Sequence, residues 1–400
     1  MTRRDRAAGA LRPPQTTRDG HRLRTAVVIA LSLMTLGAAA CSASTTTATS
    51  NAPSTASGSA TGSSAKPVTG RWAKILRLIP DTDETRREVT DASTFLNDFE
   101  VAASALGIQR PPADAPDAAT NAYALALRDK AGILLAQGAA PAIGTVSQSF
   151  TLGDGQSLLA IENGRFDPAA VRPRVTEGMD PAPRVAEHEG DSFLLSQMCV
   201  SGCPRGKNKD KDKDSRPDSA FFIGPDTFLV AANPDLMKSA LDARAGRKPS
   251  LADDPDIAAV ASALDEEGTF AVALQLDRPK GATGTTAKKG ASTTSSPTVG
   301  PYVMSGVGLA ASDPKQLEVV VVLLATSDDA AAANVEKLRT YVAEGTDEKS
   351  GTPLADVVEV GSVRSEGRVT VARLKLKDSA DPTWLRDALE AGTLPPPTAA

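Results

Sequence analysis

Apolar positions along this chain change their spacing several times, and each change marks a structural boundary. Thr25 to Ala40 reads TAVVIALSLMTLGAAA, sixteen uncharged residues behind seven arginines and directly before Cys41. Residues 42–70 have no apolar periodicity, and fifteen of the twenty-nine are Ser or Thr. Nothing there offsets the entropy of ordering, so the segment predicts a disordered tether with a root-mean-square span of about 30 Å. From Arg71 the spacing turns helical. Trp72, Ile75, Leu76, Leu78 and Ile79 predict one helix, stopped by Pro80. Asp81 stands where it can cap a second, with Glu84 completing a capping box; this acidic cluster lacks the spacing of a calcium loop. Phe95, Leu96, Phe99, Val101, Ala102, Leu106 and Ile108 continue the amphipathic pattern, and an Ala/Leu helix comes next over about 118–136. Residues 71–140 therefore predict a helical subdomain.

From about residue 145 the spacing becomes alternating and β-branched residues gather. Val146 to Leu152 and Ser157 to Glu162 predict a hairpin around Gly153-Asp154-Gly155. A short helix near 167–176, a strand Phe193 to Ser196, a hairpin over Ala220 to Val230 around Gly224-Pro225-Asp226, and a helix opened by Asn233-Pro234 complete a first half over 141–278. A low-complexity linker or loop occupies 279–300. The second half, 301–393, repeats the plan: strands Val303 to Ala311 and Leu317 to Ala325, a helix over 328–343, a hairpin of Val357 to Val363 with Arg368 to Lys375, and a helix opened by Asp381-Pro382. The unbroken run Val319 to Leu324 predicts a central strand buried on both faces. Residues 394–400 predict a disordered tail.

The fold class that results is α+β, a helical N-terminal subdomain followed by antiparallel sheets in two ββαββα halves. Matched segments suggest a duplication: 171–178 aligns with 338–345, and 233–243 with 381–391. A polar insertion at Cys199 to Arg216 reconciles the two offsets. Shared Asn/Asp-Pro capping chemistry would by itself produce part of the second match.

Composition narrows the class. A hydrophobic fraction of 41% and a charged fraction of 23% are globular values, while only 4% is aromatic, so aliphatic residues must fill the core. The formal charge is −5; seven arginines and two aspartates lie in the first forty residues, so the chain beyond residue 40 carries −10. Such a surface excludes a polyanion such as nucleic acid as a partner. The apolar run is shorter than the ~20 residues of a permanent span, and its arginine-rich flank and small-residue end predict a signal peptide over 1–40. Leu36-Gly37-Ala38-Ala39-Ala40-Cys41 resembles the lipobox of bacterial lipoproteins, with Ala38 where Leu is commonest. The resemblance, which covers only about residues 25–70, implies that Cys41 is acylated after cleavage. The mature chain would then be anchored by lipid on the extracytoplasmic face of the cell membrane. Anchor, tether and α+β module together are similar to actinobacterial envelope lipoproteins, some of which carry lipids.

In that oxidising location Cys199 and Cys203 are expected to form a disulfide. Extended strand would separate them by ~13 Å, beyond the reach of a bridge, so a turn is required between them. No metal site is predicted, because His188 is the one histidine after the leader and four ligands are needed. The run Lys207-Asn208-Lys209-Asp210-Lys211-Asp212-Lys213-Asp214 cancels its own charge and predicts a solvated loop. No Gly-x-Ser-x-Gly elbow is present, and Ser312-Asp313-Pro314-Lys315 reads as turn chemistry. The paired carboxylates Asp253-Asp254, Glu266-Glu267 and Asp328-Asp329 are assigned to helix ends. No catalytic residue and no cofactor is predicted. The expectation is a non-catalytic binding module for an apolar ligand or an envelope protein. An envelope hydrolase with an unfamiliar site around His188 and a purely structural component are the alternatives.

Overall fold

The computed structural model describes residues 70–90, 94–112, 115, 117–131, 146–152, 159–177, 182–196, 219–276, 297–347, 349–378, 380, 384–391 and 393–396. Helices α1 (Arg71–Leu76) and α2 (Asp83–Thr90) come first, then β1 (Thr94–Asp98), α3 (Phe99–Ala105) and α4 (Asp117–Ala131). Next in the chain are β2 (Val146–Leu152), β3 (Leu159–Gly164), α5 (Pro168–Thr176), β4 (Arg184–His188), β5 (Asp191–Ser196), β6 (Ser219–Ile223), β7 (Thr227–Ala231) and α6 (Pro234–Arg244). A 3-10 turn at Leu251–Asp253 leads into α7 (Pro255–Glu266), β8 (Ala271–Leu276), β9 (Tyr302–Asp313), β10 (Gln316–Ala325) and α8 (Asp328–Glu344). The last elements are α9 (Leu354–Val357), β11 (Val358–Glu366), β12 (Val369–Leu376) and α10 (Trp384–Ala391). The protein is α+β. No described helix is long and apolar enough to cross a membrane.

The twelve described strands join one antiparallel sheet in the order β11-β12-β10-β9-β8-β1-β2-β3-β7-β6-β5-β4. The sheet is continuous through β1, which falls in the stretch read as a helical subdomain, and β8, which falls at the end of the first half as read; the two pair at Leu96↔Val272 with Phe95↔Ala273 and Asn97↔Ala271 on either side. Outward from that seam the order is β1-β2-β3-β7-β6 one way and β8-β9-β10-β12-β11 the other. A helix comes after the third strand of each series (α5, α8), and another after the series' last strand in chain order (α6, α10). The strands are thus arranged as a local two-fold about the seam with the order βββαββα, one strand more per half than the ββαββα expected from sequence, while α6 and α10 pack on opposite sheet faces. The hairpin β4–β5 extends the first half only, so the insertion there is larger than the polar run expected from sequence.

Alternation on the strands sorts the core onto the two sheet faces. Val320, Val322 and Leu324 of β10 join a cluster with Trp72, Ile75 and Leu76 of α1, Met237 and Leu241 of α6, and Val260 and Leu264 of α7. Val319, Val321 and Leu323 point the other way, into a cluster with Phe99 of α3, Tyr123 of α4, Leu338 and Tyr341 of α8, and Leu385 of α10. A small third cluster, Ala160, Leu194, Phe221, Phe228 and Val230, occupies that second side near α5. Both faces are covered, as the run Val319 to Leu324 requires.

Three local expectations are corrected. Phe95 to Leu96 opens a strand and not a helix: Leu96 packs on one sheet face and Phe95 on the other, so an apolar pair with helix-compatible neighbours is claimed by the sheet. Asp98 ends that strand and caps α3, its carboxylate accepting from the Val101 amide at 3.0 Å. At α2 the cap is Thr82, not Asp81. The Thr85 amide donates to Thr82 Oγ1 at 3.2 Å and the Thr82 amide to Thr85 Oγ1 at 3.0 Å, while Asp81 pairs with Arg86. Glu266 and Glu267 lie at the C-terminal end of α7, where the helix dipole opposes them. Arg364 and Arg373 both reach the Glu267 carboxylate and offset that penalty. By contrast Asn233 caps α6 through the Leu236 amide at 2.8 Å with Pro234 behind it, as read from the sequence. The described parts of α4 and β3 run 117–131 and 159–164; the remainders expected to 136 and from 157, like Asp381-Pro382, lie outside the described residues.

Candidate functional site

A cleft of about 710 Å³ opens between α1 and the end of α6, above the ends of β3 and β7. Helical spacing makes its first wall. Trp72, Ala73, Ile75 and Leu76 turn into the core, which leaves Lys74 and Arg77, three apart, exposed on the outer face. The start of α1 is fixed by Arg71, whose amide donates to Asp265 Oδ2 at 3.0 Å and whose guanidinium pairs with the same carboxylate. Gly70 sits at φ 125°, and a Cβ there would run into the Asp265 carboxylate, so only glycine leads the chain into this cleft.

The floor is polar although it is buried. Asn163 and Thr227 stand opposite one another on β3 and β7, 1% and 3% exposed, and both line the cleft. Counting across the sheet, Asp98, Gln148, Asn163 and Thr227 form one continuous cross-strand row on four neighbouring strands. Gln148 Nε2 donates to Asp98 Oδ2 at 3.1 Å and to the Arg71 carbonyl at 3.3 Å, and Asn163 Nδ2 donates to Gln148 Oε1 at 3.4 Å. This row ties α1 to the strands beneath it. The far wall is Arg244 in the last turn of α6. Its guanidinium stacks 4.9 Å from the Phe222 ring centre and lies 3.5 Å from Asp191 and 3.8 Å from Asp226. Lys74 and Arg77 line the cleft with Arg244, whose charge is shared between Asp191 and Asp226.

A second polar row crosses the opposite sheet face one residue along: Asn97, Ser149 and Glu162 on β1, β2 and β3. All three are at most 3% exposed. Asn97 Nδ2 donates to Ser149 Oγ at 3.2 Å, but Asn97 Oδ1 and both Glu162 oxygens have no hydrogen-bond partner. Burial pushes the Glu162 carboxyl up to about 8, so it is mainly neutral at neutral pH. Only the break it makes in the apolar run Leu159-Ala160-Ile161 signals this group in the sequence.

His188 ends β4, and its Nε2 lies 2.8 Å from Asp242 Oδ1 on α6. Burial alone would raise Asp242. Hydrogen bonds from Arg247, His188 and Lys248 outweigh it and hold the carboxyl well below the usual carboxylate range. A carboxylate shared among two permanent cations and a histidine is a structural tie across β4, α6 and the turn after it. Among the described residues no hydroxyl is hydrogen-bonded to His188. Ser312 and Asp313 end β9 and Pro314-Lys315 make the turn to β10, with the Lys315 and Gln316 amides bonded to Asp313 Oδ1 at 2.8 and 3.1 Å. Cys41, Cys199 and Cys203 lie outside the described residues.

No family model and no curated protein matches this chain. Among solved structures it is similar to three crystal forms of TP0453. Form III has a TM-score of 0.36 and 9% identity over 79% of this chain and 97% of that one. Form I has 0.34 and 7% over 82% and 98%, and form IV has 0.35 and 8% over 79% and 96%. This likeness is too loose to transfer a function.

Proposed function

We propose that the chain is a membrane-anchored extracytoplasmic lipoprotein, held by acylated Cys41, whose folded part is a non-catalytic binding module with the α1–α6 cleft as its ligand site. The observation that carries the reading is the buried row Asp98-Gln148-Asn163-Thr227 running into a cleft of small-molecule size. Buried polar side chains lower stability unless they are partnered; Asn163 donates to Gln148 at 3.4 Å and Thr227 to Asp226 at 3.1 Å, and both line the cleft. The arginine-rich leader and lipobox supply the anchor in this reading.

Growth with a fatty-acid analogue tests the anchor: label is expected on the wild-type chain and none on Cys41→Ala. Native mass spectrometry tests the site: the protein released gently from membranes is expected to retain a small non-protein mass, and bare protein under those conditions counts against a binding role.

A further inference from the structure

We infer that the segment Phe166 to Thr176 is a proton-controlled cover, which lifts locally from the sheet face opposite the cleft when Glu162 loses its proton and closes again when the proton returns.

Strand register sets up the device. On this face one cross-strand row runs from Ala271 through Asn97, Ser149 and Glu162 to Phe228 on five neighbouring strands. Ala271 belongs to the large apolar cluster and Phe228 to the small one, so these three polar residues divide the core of this face. Neither oxygen of the buried Glu162 has a partner. A carboxylate cannot stay ionised in such a place without donors; it must either remain neutral or reach water.

The weakest described cover of this row is α5 and the residues that lead into it. Phe166 packs against both apolar clusters, and its ring centre lies 6.4 Å from that of Phe228, the cross-strand neighbour of Glu162. Two backbone bonds hold the approach: the Gly164 amide donates to the Asp226 carbonyl at 3.0 Å and the Phe166 amide to the Pro225 carbonyl at 2.9 Å. Beyond them the grip is slight. Pro173 removes an amide from the interior of the nine-residue helix, Ala169, Ala170, Arg172 and Pro173 are exposed, and of its described side chains only Val175 is packed against the small cluster. On the same face α3 and α4 are tied more firmly, with Tyr123 Oη donating to the Phe99 carbonyl at 3.1 Å and Lys130 Nζ to the Leu106 carbonyl at 2.8 Å.

Among the described residues no charge acts on Glu162, because burial is the one cause that raises its carboxyl. The titratable side chains on the elements of this face are engaged or exposed: Glu100 pairs with Arg110, Tyr123 and Lys130 bond carbonyls, Asp167 caps α5, and Asp129, Arg165, Arg172 and Glu177 are exposed. Lifting the cover returns the carboxyl to water, where it titrates at an ordinary 4.5 and not at about 8. The open form therefore gains up to about tenfold per pH unit between those values and nothing further above them.

Amide hydrogen exchange of the full chain, read by mass spectrometry from about pH 5 to pH 9, tests this. Comparison with Glu162→Gln at each pH cancels the intrinsic pH dependence of exchange. In α5 the ratio of wild-type to variant rates is expected to rise by about tenfold per unit up to about pH 8 and then to level off. The α5 amides should also be far less protected than those of Val319 to Leu324, the mark of a local opening. Phe166→Ala should speed α5 exchange by about tenfold at every pH and leave the slope unchanged. Should Glu162→Gln fail to fold, Glu162→Val serves as the reference. A ratio independent of pH overturns the inference, as does α5 exchange unaltered by Phe166→Ala. Equal protection of α5 and Val319 to Leu324 overturns it too, because Glu162 would then ionise only on global unfolding. Neither the anchor nor a cleft ligand enters these outcomes.

Discussion

The two sides of the seam share one strand plan but fill it differently. Counting outward from Leu96↔Val272, the row Asp98-Gln148-Asn163-Thr227 of the first half has as its counterpart Leu274-Gly306-Val322-Val371 in the second. On the other face Asn97-Ser149-Glu162 corresponds to Ala273-Val307-Val321. Every polar position on one side is apolar or glycine on the other. In the second half α7 sits directly on the sheet, and a Cβ added to Gly306 would lie 2.6 Å from Leu264 and 2.7 Å from Val260. In the first half, Gln148 occupies the equivalent place and binds the backbone of α1, and the cleft opens beyond it. The second half is thus built as core and the first as core with a cleft, a division that a repeated scaffold makes possible because one copy suffices to hold the sheet.

The largest effect is expected from forcing a side chain into the close-packed copy. Gly306→Val should lower stability by roughly 3 kcal/mol through overpacking against Val260 and Leu264, read as a fall in the urea midpoint. Gln148→Ala, at the matching place, should cost only about 1–2 kcal/mol through its lost hydrogen bonds. Equal losses would deny that the two places are packed differently.

Making the first half resemble the second at Glu162 should have the opposite sign. Glu162→Val, copying Val321, is expected to stabilise by about 2 kcal/mol near pH 8, and Glu162→Gln somewhat less. Linkage sets the sign. The folded carboxyl is raised to about 8 from an ordinary 4.5. The folded state therefore binds more protons between those values, and wild type loses stability as pH rises through that window by at most about 1.4 kcal/mol per unit. The advantage of Glu162→Gln should therefore grow between those limits and level off above them. A constant difference from pH 5 to pH 8 would show that Glu162 is ionised, and partnered, when folded.

The α6 tie has no described equivalent on α10. Asp242→Asn should remove about 2 kcal/mol at neutral pH, since it gives up charged hydrogen bonds from Arg247, Lys248 and His188. Because the folded carboxyl is depressed, this contribution is present above the ordinary aspartate range and fades as pH falls through and below it. Thermal melts at pH 7 and pH 3 should show the gap closing on acidification. The smallest effect is reserved for Asn163→Val, which copies Val322: about 1 kcal/mol or less on stability, with ligand retention lost. Retention unchanged by that substitution would remove Asn163 from the site.

Much of the secondary structure could be read locally. The Asn233-Pro234 cap, the Gly224-Pro225-Asp226 hairpin and the continuous Val319 to Leu324 strand each depend on neighbours within a turn or on simple alternation. Where two periods compete over a short span, as at Phe95 to Asp98, the tertiary sheet decided, and the exposed strand Arg184–His188 carries too little apolar pattern to be recognised. Of the candidate site, the sequence pattern marked none of Lys74, Arg244 and Asn163.

The order of most strands and helices, the acidic balance and the leader and lipobox pattern were contained in the linear sequence, because helix caps, turns and periodicity are interactions between residues a few positions apart. The single fused sheet, the two polar rows and the cleft were decided only by folding. Gln148 meets Asp98 from fifty positions away, and Asn163 faces Thr227 across a pair of strands separated by three others in the chain. Such contacts are set by strand register, which no local pattern encodes when both faces of a sheet are buried.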